Sequence, residues 1–249
     1  MKPRRARLDA LLVARGLADS PARAQALILA NKVRVAGVPV AKAGQAFPDD
    51  AAITVETDDG WASRGAHKLL GAIAAFPWLA ARIAGADCLD IGASTGGFTD
   101  VLLRHGARRV IALDVGWGQL HERLRQDPRV HILDRTNIRL LAPSALPFTP
   151  AIVTSDASFI SVRAFLPVVF RELAPGGLFI ALVKPQFEVA RDDVPDGGVV
   201  TDENARQRAL AAAQEAAIAA GFALRGAVDS PLPGPSGNRE FLLVLERPG

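Results

Sequence analysis

Cys88-Leu89-Asp90-Ile91-Gly92-Ala93-Ser94-Thr95-Gly96-Gly97-Phe98 is the stretch that decides the fold. An apolar run carrying an acid turns into a glycine-rich loop, and a helical pattern follows. Glycines let a backbone turn sharply and come close to a ligand at a helix N-terminus. A dinucleotide-binding loop would read G-x-G-x-x-G. Here the order is G-x-S-x-G-G, preceded by Asp90. A carboxylate there repels a phosphate and suits an ammonium such as that of methionine.

Asp114 closes the next apolar stretch, 22 residues after Gly92. A carboxylate at that point can accept hydrogen bonds from ribose hydroxyls. The loop and the two acids together imply a nucleoside-type cofactor, S-adenosylmethionine in preference to NAD. Asp134, at the end of the third strand, is expected near the adenine, with a solvated loop acid as the alternative. Trp117, in Asp114-Val115-Gly116-Trp117-Gly118, is expected in the core, the alternative being a stack on the adenine. Cys88, inside a buried strand, is expected to serve packing.

Outward from the loop, strands and helices alternate from about Ala62 onward. Strands are expected at Asp87–Ile91, Arg109–Asp114, Val130–Leu133, Ala151–Ser155, Leu178–Lys184, Ala223–Asp229 and Glu240–Glu246. Helices are expected at Ser161–Leu173, stopped by Pro175-Gly176-Gly177, and at Glu203–Ala220, stopped by Gly221. Such alternation argues for a mostly parallel sheet covered by helices on both faces. The Ser230–Arg239 loop is too short for a crossover, so the last strand should run antiparallel to its neighbour.

The first 60 residues read differently, as helix, helix, hairpin. Arg7 to Arg15 is a short amphipathic helix with Leu8, Leu11 and Leu12 facing inward, and Gly16 ends it. Ser20-Pro21 starts a second helix, as a cap followed by proline in the first turn, which runs to about Asn31. Val33–Val35 and Val38–Val40 alternate around Ala36-Gly37, Ala52 to Glu56 supplies a further strand, and Asp58-Asp59-Gly60 is a linker. The expected domains are therefore residues 1–60 and 61–249.

Charge separates the two regions as well. The whole chain has a net charge of +3, yet residues 1–48 alone carry nine basic and two acidic side chains, a balance of +7 that leaves −4 on the remainder. A basic head on a mildly acidic body suits a polyanionic partner. The composition, 49% hydrophobic and 22% charged, is that of a globular protein. No apolar run approaches the ~20 residues of a membrane span, and no secretory-type apolar segment follows the basic start. A cytoplasmic location, no membrane contact and a monomer are expected. One cysteine and scattered His67, His105, His121 and His131 offer no ligand spacing, so no metal is expected.

Four charged residues fall where such a sheet presents its ligand edge. Lys68 lies on a helix after the linker, Asp156 ends the fourth strand, Lys184 ends the fifth, and Glu240 opens the last. A lysine closing an apolar strand is costly unless paired, and Asp156 is the fitting partner. A structural ion pair is the alternative to chemistry.

The segment RLDALLVARGLADSPARAQALILANKVRVAGVPV resembles the S4 RNA-binding domain over roughly residues 6–60. That resemblance implies that Arg7, Arg15, Arg23, Lys32 and Arg34 approach RNA phosphates, contacts that position without reading bases. Through SRGAHKL, LDIGASTGGFTD, ALDVGWGQL, DRTNIR, SDASFIS, LVKPQFE, GGVV and SGNREFL, the chain resembles the TlyA family almost end to end. The family joins an S4 domain to an FtsJ-like ribosomal RNA 2′-O-methyltransferase, and some members carry a haemolysin label.

The resemblance implies a Rossmann-like class I methyltransferase fold with a seven-stranded sheet behind a small α+β domain. It implies a Lys-Asp-Lys-Glu tetrad at Lys68, Asp156, Lys184 and Glu240. Cofactor contacts are implied at Asp90, Gly92, Ser94, Gly96, Phe98, Asp114 and Asp156, with Gly97 in the same loop. The expected substrate is a cytidine 2′-hydroxyl of 23S rRNA, free or in a ribosomal subunit, with 16S rRNA as a second candidate. The short ends are like those of the family's shorter type, associated with the large subunit. In this reading Lys184 is the base or hydroxyl-orienting group, Asp156 aligns it, and Lys68 and Glu240 hold the ribose. The competing readings are a membrane-active cytolysin and a non-catalytic ribosome assembly factor.

Overall fold

The computed structural model describes residues 5–249 apart from 30, 41, 56–58, 192 and 193. The chain forms two compact units, Met1–Gly60 and Trp61–Gly249. Lys2, Arg4, Glu56 and Asp58 of the sequence reading lie outside the described residues.

The first unit runs β1 (Arg5–Arg7), α1 (Leu8–Ala14), α2 (Pro21–Leu29), β2 (Val33–Val35), β3 (Val38–Pro39), β4 (Ala46–Pro48) and β5 (Ile53–Val55). Leu8, Leu12, Leu27 and Ile28 of the two helices pack on Val33, Val35 and Val40. The expected hairpin forms and extends to a three-stranded sheet, β3-β2-β5. A second pair, β1 with β4, was absent from the expectation. Each has three residues, too few for alternation to register, and Arg5 and Arg7 give β1 a polar look. Helix α2 ends at Leu29 rather than near Asn31. Asn31 stands at φ 57°, outside helical geometry.

The second unit opens with α3 (Ala66–Ala75) and α4 (Trp78–Ile83), then β6 (Asp87–Ile91), α5 (Gly97–Arg104), β7 (Arg109–Leu113), α6 (Glu122–Arg125), β8 (Val130–Leu133) and β9 (Ile152–Ser155). It continues with α7 (Leu166–Glu172), β10 (Leu178–Val183), α8 (Pro185–Glu188), α9 (Glu203–Ala219), β11 (Ala223–Asp229) and β12 (Phe241–Glu246). Seven strands form one sheet in the order β11-β12-β10-β9-β6-β7-β8. All pairs are parallel except those made by β12, which runs antiparallel to β10 and β11.

β6 and β10 are buried along their whole length, as expected of strands covered on both faces. One face packs on α3, α4 and α5 through Leu69, Leu79 and Leu102. The other packs on α7 and α9 through Val169, Ala213 and Ala217. β6 has β7 on one side and β9 on the other. The chain therefore reverses direction across the sheet there, which opens a crevice at the C-terminal ends of β6 and β9.

The helix expected over Ser161–Leu173 is divided. A 3₁₀ turn covers Val162–Ala164, Phe165 leaves helical geometry at φ −127°, and α7 starts at Leu166. A continuous helix would bury Pro167 in its interior, where the ring meets the preceding turn and a donor is missing. Starting the helix afresh puts Pro167 in the first turn, where neither matters.

Candidate active site

The loop after β6 takes its course from Gly92, at φ +77°. A Cβ at Gly92 would lie 2.9 Å from the Ala157 Cα, so only glycine lets this loop pass the turn after β9. Asp114, just beyond β7, ties the next part down. Its carboxylate accepts from the Ser94 N–H at 2.8 Å and the Gly116 N–H at 2.7 Å.

Between these loops lies a cavity of about 500 Å³. Gly92, Ser94, Asp114 and Asp156 line it, together with Gln119, Thr136, Asn137 and Ser158, which the sequence reading did not single out. A strand-end carboxylate beside a glycine turn and small polar groups fits a nucleoside with an amino-acid tail. No phosphate-cradling G-x-G-x-x-G turn is present to suit a dinucleotide.

The remaining loop residues face elsewhere. A Cβ on Gly96 would meet Leu120 and Leu124, and one on Gly97 would meet Ser63 and Ala66. Phe98 is buried in the core. The Asp134 carboxylate accepts from the Gly118 N–H at 2.9 Å, and its neighbours Thr136 and Asn137 reach the cavity instead. Trp117 is 68% exposed, so its expected burial in the core is corrected. It stands on a tight turn with the Arg135 guanidinium over its ring at 5.3 Å. Cys88 is buried, and burial pushes its thiol up to about 12.

Asp90 is fully buried and bonded by the Thr99 hydroxyl at 2.7 Å and the Thr154 hydroxyl at 3.1 Å. It fastens the end of β6 to α5 and β9. Loss of water raises its pKa from 3.8 to about 7, against the pull of the two hydroxyls. The folded protein therefore keeps a proton that the unfolded chain gives up. The stability this contributes is complete below about pH 4 and is lost as pH rises through about 7. Urea melts between pH 4 and 8 are expected to show this decline, at most about 4 kcal/mol, and Asp90→Asn is expected to flatten it. An equal slope in both proteins would rule out Asp90 as its source.

The four charged residues form two pairs at the same edge of the sheet, with Lys68, Lys184 and Glu240 buried and Asp156 partly exposed. Lys68, in the first turn of α3, meets Glu240, just before β12, with Nζ to Oε2 at 2.6 Å. Lys184, just after β10, meets Asp156, just after β9, with Nζ to Oδ1 at 2.7 Å. Lys184 also donates to the Ser158 hydroxyl at 2.8 Å and to the Asp156 carbonyl at 3.3 Å. Burial raises the Glu240 carboxyl above its ordinary range, opposed by the positive charges of Lys68 and Lys184. Asp156 adds to the rise, so all four groups lie within one electrostatic cluster. Glu240 Oε1 is buried with no hydrogen-bond partner among the described residues. Among those residues no group of three or more His, Cys, Asp or Glu could hold a metal ion.

The basic side chains of the first unit are differently engaged. Arg7 is held on the buried Asp9, with Nε to Oδ1 at 3.0 Å and a terminal nitrogen to Oδ2 at 2.7 Å. Its guanidinium holds the Asp9 carboxyl down at about 2. Arg15 braces the turn before β5, donating to the Ala51 carbonyl at 2.6 Å and to the Asp49 carbonyl. Arg34 reaches the Gly37 carbonyl at 3.5 Å. Arg23 is exposed on α2, and Lys32 is half-buried ahead of β2.

Comparison with known proteins extends this picture. A family model described as FtsJ-like methyltransferase matches residues 61–247, and one described as the S4 domain matches residues 6–47. The 16S/23S rRNA (cytidine-2′-O)-methyltransferase TlyA of Mycobacterium tuberculosis is 50% identical over 244 residues, 97% of this chain and 90% of that protein. Hemolysin A of Brachyspira hyodysenteriae is 39% identical over 237 residues, 95% of this chain and 98% of that one. A solved structure from Streptococcus thermophilus, provisionally named a hemolysin, superposes with a TM-score of 0.76 at 35% identity, covering 100% of this chain and 90% of its own.

Proposed function

Since the chain belongs to the FtsJ-like methyltransferase family and matches the S4 domain ahead of it, we propose that it transfers a methyl group from S-adenosylmethionine to a cytidine ribose 2′-hydroxyl of ribosomal RNA. The observation that carries this reading is the pair of close lysine–carboxylate contacts, Lys68–Glu240 and Lys184–Asp156, the second of which reaches the Gly92–Asp114 cavity through Asp156. 23S rRNA is the proposed substrate. 16S rRNA is a second one, favoured by the M. tuberculosis relative named for both.

Gly92, Ser94, Asp114 and Asp156 would hold the cofactor, which supplies an electrophilic sulfonium methyl when bound. Asp114 would accept from its ribose hydroxyls, since its carboxylate lines the cavity and the Ser94 and Gly116 N–H groups hold it in place. A ribose hydroxyl is a weak nucleophile at neutral pH and needs its proton removed and its oxygen aimed. Lys184 would take that proton: the O–H bond breaks and an N–H bond forms. Asp156 aligns the amine, while Lys68 and Glu240 orient the ribose. Correct alignment of the reacting groups is itself a large part of such a rate enhancement.

The basic first unit would bind RNA phosphates and so deliver the substrate. With ribosomal RNA as substrate, the protein works in the cytoplasm. Mapping 2′-O-methyl groups on rRNA with and without the protein tests the function; an unchanged map would overturn it. Calorimetry should detect S-adenosylmethionine and S-adenosylhomocysteine binding and no NAD binding. Asp114→Ala should weaken the former by about 1–3 kcal/mol, the scale of a lost hydrogen bond to a charged group. Tight NAD binding, or an unaffected Asp114→Ala protein, would sink the cofactor assignment.

The name of the Brachyspira relative favours one other reading, membrane lysis. No helix among the described residues is long and apolar enough to cross a membrane. Dye release from liposomes by the purified protein would support that reading.

A further inference from the structure

The surroundings of the Lys184 amine assign a task to Ser158. Lys184 is only 6% exposed, and three oxygens surround its Nζ: Asp156 Oδ1 at 2.7 Å, Ser158 Oγ at 2.8 Å and the Asp156 carbonyl at 3.3 Å. Two contacts are short and one is long. The Cε–Nζ bond and one hydrogen bond to Asp156 set the four corners of the tetrahedral nitrogen, but leave the second proton and the lone pair free to exchange between the last two. A second short hydrogen bond decides which corner each takes. With a proton gone, the amine keeps two N–H donors and one lone pair. The two short contacts absorb the donors and leave the lone pair to the remaining corner, where only the long carbonyl contact must give way.

Ser158 differs chemically from its companions. The carboxylate and carbonyl oxygens of Asp156 only accept, but a hydroxyl both donates and accepts. It can therefore serve the ammonium, the amine with substrate bound, and the amine without substrate. Ser158 is also exposed and lines the cavity, so it stands where an incoming hydroxyl would arrive. Its turn is sterically constrained. Phe159 next to it holds a left-handed φ of +63°, rare for a bulky residue, and Ala157 before it passes Gly92 so closely that no Cβ fits there. Strain of this kind persists only where the surroundings over-determine a conformation.

We infer that Ser158 is a positioning residue that, with Asp156, fixes the rotation of the Lys184 amino group and aims its lone pair at the substrate hydroxyl. The inference rests on Lys184 being the proton acceptor. The test uses full-length Ser158→Ala, Ser158→Thr and Lys184→Ala proteins with rRNA substrate. Ser158→Ala should lose about 10- to 100-fold in kcat, the penalty for a misaimed group. Its KM for RNA, its affinity for S-adenosylmethionine and its melting temperature should stay near those of the parent. Ser158→Thr, which keeps the hydroxyl, should recover most of the rate.

A second readout needs no turnover. In ¹⁵N-lysine-labelled protein, the Lys184 Nζ protons should exchange with water faster in Ser158→Ala than in the parent or Ser158→Thr. The inference is overturned by a parental kcat in Ser158→Ala, by a loss confined to KM, by a threonine variant no better than alanine, or by unchanged exchange. If Lys184→Ala is inactive while Ser158→Ala is fully active, only the role of Ser158 falls. If Lys184→Ala retains activity, the assignment of Lys184 as base falls with it.

Discussion

Lys184→Arg is expected to abolish methyl transfer while the protein still folds and binds both ligands. Arginine keeps the positive charge and can still pair with Asp156, but its guanidinium stays protonated and cannot accept a proton. The expected loss is about 10²- to 10⁴-fold, the usual contribution of a general base. Lys184→Ala should lose at least as much, with cofactor and RNA affinity little changed. A purely structural Lys184–Asp156 pair predicts the reverse pattern. Arginine would be tolerated, and alanine would destabilise the fold by stranding a carboxylate. Asp156 has a side chain 24% exposed, so water would soften even that penalty. Single-turnover methylation beside a melting curve separates the two. Appreciable activity in Lys184→Arg would leave Lys184 at most an electrostatic role.

Removing residues 1–60 is expected to eliminate rRNA methylation and leave cofactor binding intact. The two cores of the second unit contain no residue before Trp61, and the core of the first contains none beyond Val55. The truncated protein therefore keeps the packing that builds the Gly92–Asp114 cavity. What it loses is a region carrying +7 over its first 48 residues. Contacts from that region to phosphate release counterions, so RNA affinity of the full chain should fall steeply with salt. In the truncated protein the slope of log K against log salt should be smaller by about 0.7–0.9 for each contact removed. Methylation at the full-length rate by the truncated protein would refute a delivery role for the first unit.

Much of this was legible in the residues because the strongest signals are steric. Gly92 must be glycine for a backbone reason, the close passage of the turn after β9, and the apolar run of β10 is unbroken. Asp156, Lys184 and Glu240 stand out because each borders an apolar strand, where charge is costly, whereas Lys68 lies on a helix and is pointed to by the family resemblance. Three things were hidden for physical reasons. β1 and β4 exist only through each other, so neither has a local pattern. Trp117 looks like core by hydrophobicity, but a turn between two glycines holds it outward. Ser158 gives no signal at all in sequence, since an exposed serine costs nothing anywhere; only its distance from Lys184 distinguishes it. Thr136 and Asn137, which line the cavity just beyond Asp134, carry no charge and so no signal in sequence.

The position of β12 between β10 and β11 also sets an order of assembly. β11 pairs with β12, and β12 alone links it to β10, so β11 cannot join the sheet until β12 has been made. Until then β10, whose residues are all buried in the finished protein, presents a bare apolar edge of the kind that invites wrong partners. Lys68 waits as well, because its carboxylate partner lies 172 residues further along the chain. Such distant contacts are the slow ones to form. On a ribosome making this protein, the parallel half of the sheet, with its glycine loop and Asp114, can be in place while the Lys68–Glu240 pair does not yet exist. The growing chain can thus shape a cofactor pocket before it owns a complete reaction centre.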